Sequence, residues 1–139
     1  ATMVIGNDYK KVDMAAREVI YKGLLALGIT DSLHHGRTYF PHGTSHHIGL
    51  DVHDLNNRGS FKENMILTVE PGIYIPEGSE CDKKWWGIAV RIEDDVLVTK
   101  NGPVNYSALA PRKSEDIEKM MAKESIFDKF QLPDLDSEE

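Results

Sequence analysis

Between Asp8 and about Leu27 apolar side chains return every three or four residues: Val12, Ala15, Ala16, Val19, Ile20, Leu24 and Leu27. That spacing sets them on one stripe of an amphipathic helix. Asn7 or Asp8 can cap its start, because a short polar side chain there accepts from the first free amides, and Gly28 stands where a left-handed stop belongs. The stripe must face something, and a sheet made by the rest of the chain is the expected partner.

The period then changes. His47-Ile48-Gly49-Leu50-Asp51-Val52-His53 alternates apolar and polar positions, which predicts a strand. After a polar connection at 60–64, Met65–Val69 is a short apolar run suited to a strand buried on both faces. Pro71-Gly72 interrupts it and Ile73–Ile75 resumes. Residues 76–84 read as a loop, 87–98 as a strand pair around Asp94-Asp95, and Asn101-Gly102 as a turn. Ser114 is placed to cap a last helix, with Glu115, Asp116 and Glu118 in its first turn and Ile117, Met120 and Met121 as its buried face. Helix, several strands, helix is an α+β order with an antiparallel sheet.

Composition narrows the function classes. The 139 residues are 40% hydrophobic, enough for one core, and no run approaches the length of a membrane span. Sixteen basic against twenty-three acidic residues give a formal charge of -7, which argues against nucleic acid as the partner. Part of that excess sits in the final DLDSEE, read as a solvated tail. A single cysteine, Cys81, rules out an internal disulfide framework and fits the cytoplasm; its acidic neighbours Glu80 and Asp82 work against a nucleophilic thiolate.

The chemistry concentrates in PHGTSHHIGLDVHD, residues 41–54, which holds four of the six histidines. His42 and His46 have a helical ligand spacing, but Gly43, Thr44 and Ser45 between them favour an extended or looped path. His53 would point away from His46 on a regular strand, so a bend near Gly49 is needed for both to reach one pocket. Glu70 closes an apolar run, and Glu93 lies two residues after Arg91 on the same face. Carboxylates in apolar surroundings need a partner, either a cation such as arginine or a metal ion. An Arg91–Glu93 neighbour pair and an exposed Glu70 would satisfy the residues equally well; one imidazole with two glutamates would also suit a divalent ion.

Three motifs in order, HGTSHHIGLDVHD, LTVEPGIYI and VRIEDDVLVT, resemble the aminopeptidase P, prolidase and creatinase family of pita-bread metallopeptidases over residues 8 to about 121. The resemblance implies the C-terminal half of a pita-bread fold, with helices on one side of the sheet, and an enzyme that cleaves an Xaa-Pro bond with a hydroxide bridged by two divalent ions. Manganese is the first choice of metal, with zinc or cobalt as alternatives. By position His46, Glu70 and Glu93 match metal ligands, Glu93 being the bridge. His42 and His53 match histidines that bind substrate and handle protons, Glu70 doubles as the proton acceptor, and Arg91 matches the arginine on the bridging glutamate's strand. Peptides with proline at the second position are the implied substrates.

Ser45 leans the match toward aminopeptidase P over prolidase, an Xaa-Pro dipeptidase; methionine aminopeptidases lack the GLDVHD continuation. A non-catalytic peptide-binding relative is the other alternative, against which the three retained ligands count. The family's centre also takes two aspartates eleven positions apart. No such pair occurs: eleven after Asp31 stands His42, and eleven after Asp82 stands Glu93. Residues 1–139 are therefore expected to be a partial catalytic domain, with 124–139 as a tail. Alone, the chain should be inactive, hold no ion or one loosely, and expose an apolar surface able to support a homo-oligomer.

Overall fold

The computed structural model describes residues 2–31, 37–55, 59–125 and 127–130. DLDSEE and most of the proposed tail lie outside the described residues. The chain divides into two compact units, residues 1–109 and 110–139.

In the first unit helix α1 spans Tyr9–Ala26. The Asp8 carboxylate accepts from the Lys11 amide at 3.0 Å, which satisfies one of the free donors of the first turn. At the other end Gly28 takes φ +68, Ile29 N–H donates to the Leu24 carbonyl and Gly28 N–H to that of Leu25. Those two bonds make a Schellman stop, and a β-carbon at Gly28 would strain it.

Five short strands follow: β1 Ile66–Val69, β2 Gly72–Ile75, β3 Ile88–Arg91, β4 Asp94–Thr99 and β5 Gly102–Asn105. All pairs are antiparallel, in the orders β1-β4-β5 and β2-β3. The registers of the two ladders agree: Val69 faces Asp94 and Gly72 faces Arg91, so Glu70 and Glu93 fall opposite one another in the gap between them.

Helix α1 closes over this frame at two points. Val12 packs with Met3, Phe61, Leu67, Val96 and Val98; Leu24 packs with Ile29, Tyr39, Ile75 and Tyr21, the last outside the expected stripe. Between these clusters runs an apolar groove of about 470 Å³ lined by Ala15, Ala16, Val19, Ile20, Val69, Pro71 and Val96, among others. Val19 stands 72% exposed, so part of the stripe has no cover.

Three expectations are corrected. The alternating stretch 47–53 is not a strand: pairing with β1 involves Thr44 to Ile48, and the chain then bends. Gly49 is the cause, since a β-carbon there would fall on the Asp54 carboxylate, and the Asp54 amide returns to the His47 carbonyl at 3.1 Å. In the second unit α2 covers Ser114–Met121, but Ser114 is its first helical residue; Lys113 takes the cap position without a side-chain bond. Ile117, Met120 and Met121 are exposed, because none of the unit's described residues is buried to receive them. No helix among the described residues is long and apolar enough to cross a membrane.

Candidate metal centre

The segment 44–48 lies along β1 as an irregular edge. Thr68 N–H donates to the His46 carbonyl at 2.9 Å, Glu70 N–H to that of Thr44 at 2.8 Å, and His47 bridges Leu67. This pairing sets His46 beside Glu70, and the agreement of the two ladders adds Glu93 across the sheet. Ligand atoms of His46, Glu70 and Glu93 all lie within 4.8 Å of one another. Two carboxylates facing each other across a ladder repel, so a cation is the natural occupant of the space between.

Each donor is oriented by a neighbour. His46 Nδ1 lies 2.9 Å from the His47 carbonyl, which can only accept, so that nitrogen carries a proton. In a neutral ring Nε2 then turns a lone pair toward Glu70 Oε1, 3.1 Å away. Two lone pairs at that distance need a proton or a metal between them, and the arrangement matches the carbonyl-oriented histidine of metal sites. The side chains are 18% and 12% exposed, dry enough for the contact to matter. Thr68 is buried within the apolar run; its hydroxyl donates to Glu70 Oε1 at 3.1 Å and accepts from the His46 amide at 3.0 Å. Arg91 approaches Glu70 Oε2 at 3.9 Å and Glu93 Oε2 at 4.0 Å, but is half exposed and offsets the paired charge only in part.

The remaining histidines differ. The bend at Gly49 returns His53 to His46, with ring centroids 4.4 Å apart. A cavity of about 380 Å³ is lined by His42, Gly43, Ser45, His46, His53, Glu70 and Arg91. His42 has both ring nitrogens engaged: Nδ1 faces the Gly43 carbonyl at 2.8 Å and Nε2 the Tyr74 hydroxyl at 2.9 Å. The carbonyl again requires a proton on Nδ1, so the Tyr74 hydroxyl donates to Nε2 of the neutral ring. Proton transfer at His42 would first break one of these bonds.

Several residues of this site lay outside the sequence-level candidates. Thr68 orients His46 and Glu70, the Thr44 carbonyl accepts the Glu70 amide, Tyr74 holds His42, and His47 contributes its carbonyl while its ring meets Tyr9 edge-on at 6.0 Å. Thr68 carries a usable signal, being the polar residue inside the Met65–Val69 run. Tyr74 has none, because its partner lies thirty-two positions away.

An imidazole and two carboxylates converging at a break in an antiparallel sheet define a candidate divalent-metal centre. The sequence profile of Metallopeptidase family M24 matches residues 1–100, and the chain belongs to that family. It is similar to the Xaa-Pro aminopeptidase of Escherichia coli K12, with 40% identity over 128 residues, 84% of this chain and 29% of the relative. Among solved structures, aminopeptidase PepP of Pseudomonas aeruginosa superposes with a TM-score of 0.80 at 35% identity, covering 87% of this chain and 30% of that one. A zinc-substituted E. coli aminopeptidase P in complex with product gives 0.72 at 36%, covering 84% and 29%. The α+β architecture is thus part of the pita-bread fold of the aminopeptidases P. The chain spans 18–30% of the length of such curated relatives.

Proposed function

We propose that this chain supplies one side of the two-cation centre of an aminopeptidase that removes the N-terminal residue from peptides with proline at the second position. The observation that carries the reading is the convergence of His46, Glu70 and Glu93 within 4.8 Å. His46 would bind through Nε2, Glu70 and Glu93 through carboxylate oxygens, with Glu93 as the bridge. The donor set of one nitrogen and two carboxylates suits manganese first, with zinc or cobalt as alternatives. Bound divalent ions supply an activated water, a polarised scissile carbonyl and stabilisation of the charge that develops on it.

The chain's own residues do the rest. Glu70 accepts a proton at Oε2, the oxygen that Thr68 leaves free. His53, against the His46 ring, faces the substrate and stabilises developing charge. His42 binds substrate beside it, its ring held by Tyr74 and Gly43. Arg91 balances the two glutamates.

Three donors among the described residues do not complete a two-cation centre; we propose that the remaining ligands come from the parent protein, and that the chain alone does not hydrolyse peptides. We read it as the C-terminal half of a catalytic domain, with 124–139 as a tail, working in the cytoplasm. The open groove along α1 is the face we assign to the rest of that domain or to a homo-oligomer contact. Hydrolysis of an Xaa-Pro peptide by the intact parent with Mn²⁺ tests the reading. Glu93→Gln should abolish cleavage without unfolding the protein; full activity in that variant would sink the assignment of the bridge.

A further inference from the structure

Two charged side chains of α1 that no metal chemistry requires are aimed at the segment carrying the histidines. Arg17 donates from Nε to Asp13 Oδ2 at 2.7 Å, from Nη1 to the Phe40 carbonyl at 3.0 Å and from Nη2 to the His42 carbonyl at 2.8 Å. Its guanidinium also lies 4.5 Å from the centre of the Phe40 ring, and that ring meets His42 edge-on at 5.0 Å. The other Asp13 oxygen accepts the hydroxyl of buried Thr44 at 3.0 Å, and the Thr44 carbonyl accepts the Glu70 amide. A continuous set of bonds therefore runs from α1 to a proposed metal ligand.

Helix stability does not account for this arrangement. Glu18 and Lys22 make an i, i+4 pair on the same helix with side chains about two-thirds exposed, and such pairs contribute little. The Asp13–Arg17 pair has the same spacing but is far drier, at 29% and 16%. Each guanidinium nitrogen points to a different acceptor, a task for a planar fork that a lysine ammonium lacks.

We infer that Asp13 and Arg17 are positioning residues: they fix the Phe40–Thr44 backbone against α1 and, through Thr44, set the Glu70 amide and the donors beside it. What they position is the centre described under the proposed function, and the inference rests on that reading.

Amide hydrogen exchange by NMR on the whole 139-residue chain tests it, in wild type, Arg17→Gln, Arg17→Lys and Asp13→Asn, with Glu18→Gln as the control. The amides of His46, Thr68 and Glu70 should exchange roughly ten- to a hundredfold faster in the Arg17 and Asp13 variants, the loss expected for a bond to a charged group. Val98 and Tyr106, whose amides bond Met65 and Asp95, should keep wild-type rates, and Glu18→Gln should alter none. Unchanged exchange at Thr68 and Glu70 overturns the inference. So does uniform acceleration of every amide, the signature of a merely structural role. Should Arg17→Gln fail to fold, Arg17→Lys keeps the charge and decides by the same two outcomes. Calorimetry with Zn²⁺ on the same samples separates the two claims: two tightly held ions per chain remove the one-sided metal-centre reading, while the exchange rates still decide the positioning.

Discussion

Replacing Thr68 with valine isolates what one buried hydroxyl does for the centre. The side chain is 1% exposed, and its oxygen serves two partners, Glu70 Oε1 as a donor and the His46 amide as an acceptor. Valine keeps the shape and the strand preference, so packing in β1 should survive. Loss of a bond to a carboxylate costs about 1.5–3 kcal/mol, and leaving the His46 amide unpaired about 1–3 kcal/mol more. The added methyl returns about 1 kcal/mol of apolar burial. A net destabilisation of about 1.5–5 kcal/mol is expected, together with weaker Zn²⁺ binding, because both His46 and Glu70 lose an orienting contact. Thr68→Ser keeps the hydroxyl and should cost only about 1 kcal/mol, with metal affinity retained. Urea denaturation followed by circular dichroism gives the stabilities, and calorimetry the affinities. Valine as stable as threonine, with serine the worse of the two, would refute the assignment of the hydroxyl as organiser.

Three further outcomes are expected. Ser45 Oγ is buried without a hydrogen-bond partner among the described residues, so Ser45→Ala should leave stability unchanged or raise it by about 1 kcal/mol in the same denaturation assay. A β-carbon on Gly72 would lie 2.6 Å from the Tyr74 hydroxyl, so Gly72→Ala should displace that ring and break its bond to His42, seen as altered ring-nitrogen shifts of His42 by NMR. Burial pushes the phenols of Tyr21 and Tyr39 up, the neighbouring Cys81 thiol adding to the effect at Tyr39. Unfolded tyrosine ionises near about pH 10, so the stability these two contribute is complete below that pH and is lost as the pH rises from there through the raised folded values. The tyrosinate absorbance of Tyr21 and Tyr39, isolated as the difference from Tyr21→Phe and Tyr39→Phe variants, should therefore appear together with loss of helical circular dichroism, not before it.

Much of this structure was legible in the chain because the signals were local and redundant. Helix α1 has a long period, a carboxylate at Asp8 and a glycine at Gly28, and all three agree. Strands β1 to β4 were marked by apolar runs, whereas β5 had only the Asn101-Gly102 turn signal at its start. Alternation over 47–53 misled because period-two patterning does not distinguish a strand from a tight return, and Gly49, already flagged as the bend, decides in favour of the return. The candidate ligands were nameable one at a time, but their convergence depends on registers set by pairings thirteen to thirty-one residues apart, which no local pattern carries. Arg17 illustrates the same limit, since its position on α1 says nothing of the Phe40 and His42 carbonyls it serves.

The central claim is that His46, Glu70 and Glu93 are one side of a two-metal site, and calorimetric titration of the chain with Zn²⁺ tests it most directly. At most one weakly held ion per chain is expected, with any binding abolished by His46→Ala and by Glu93→Gln while the fold is retained. Two tightly held ions per chain, or an affinity that neither substitution alters, would contradict it.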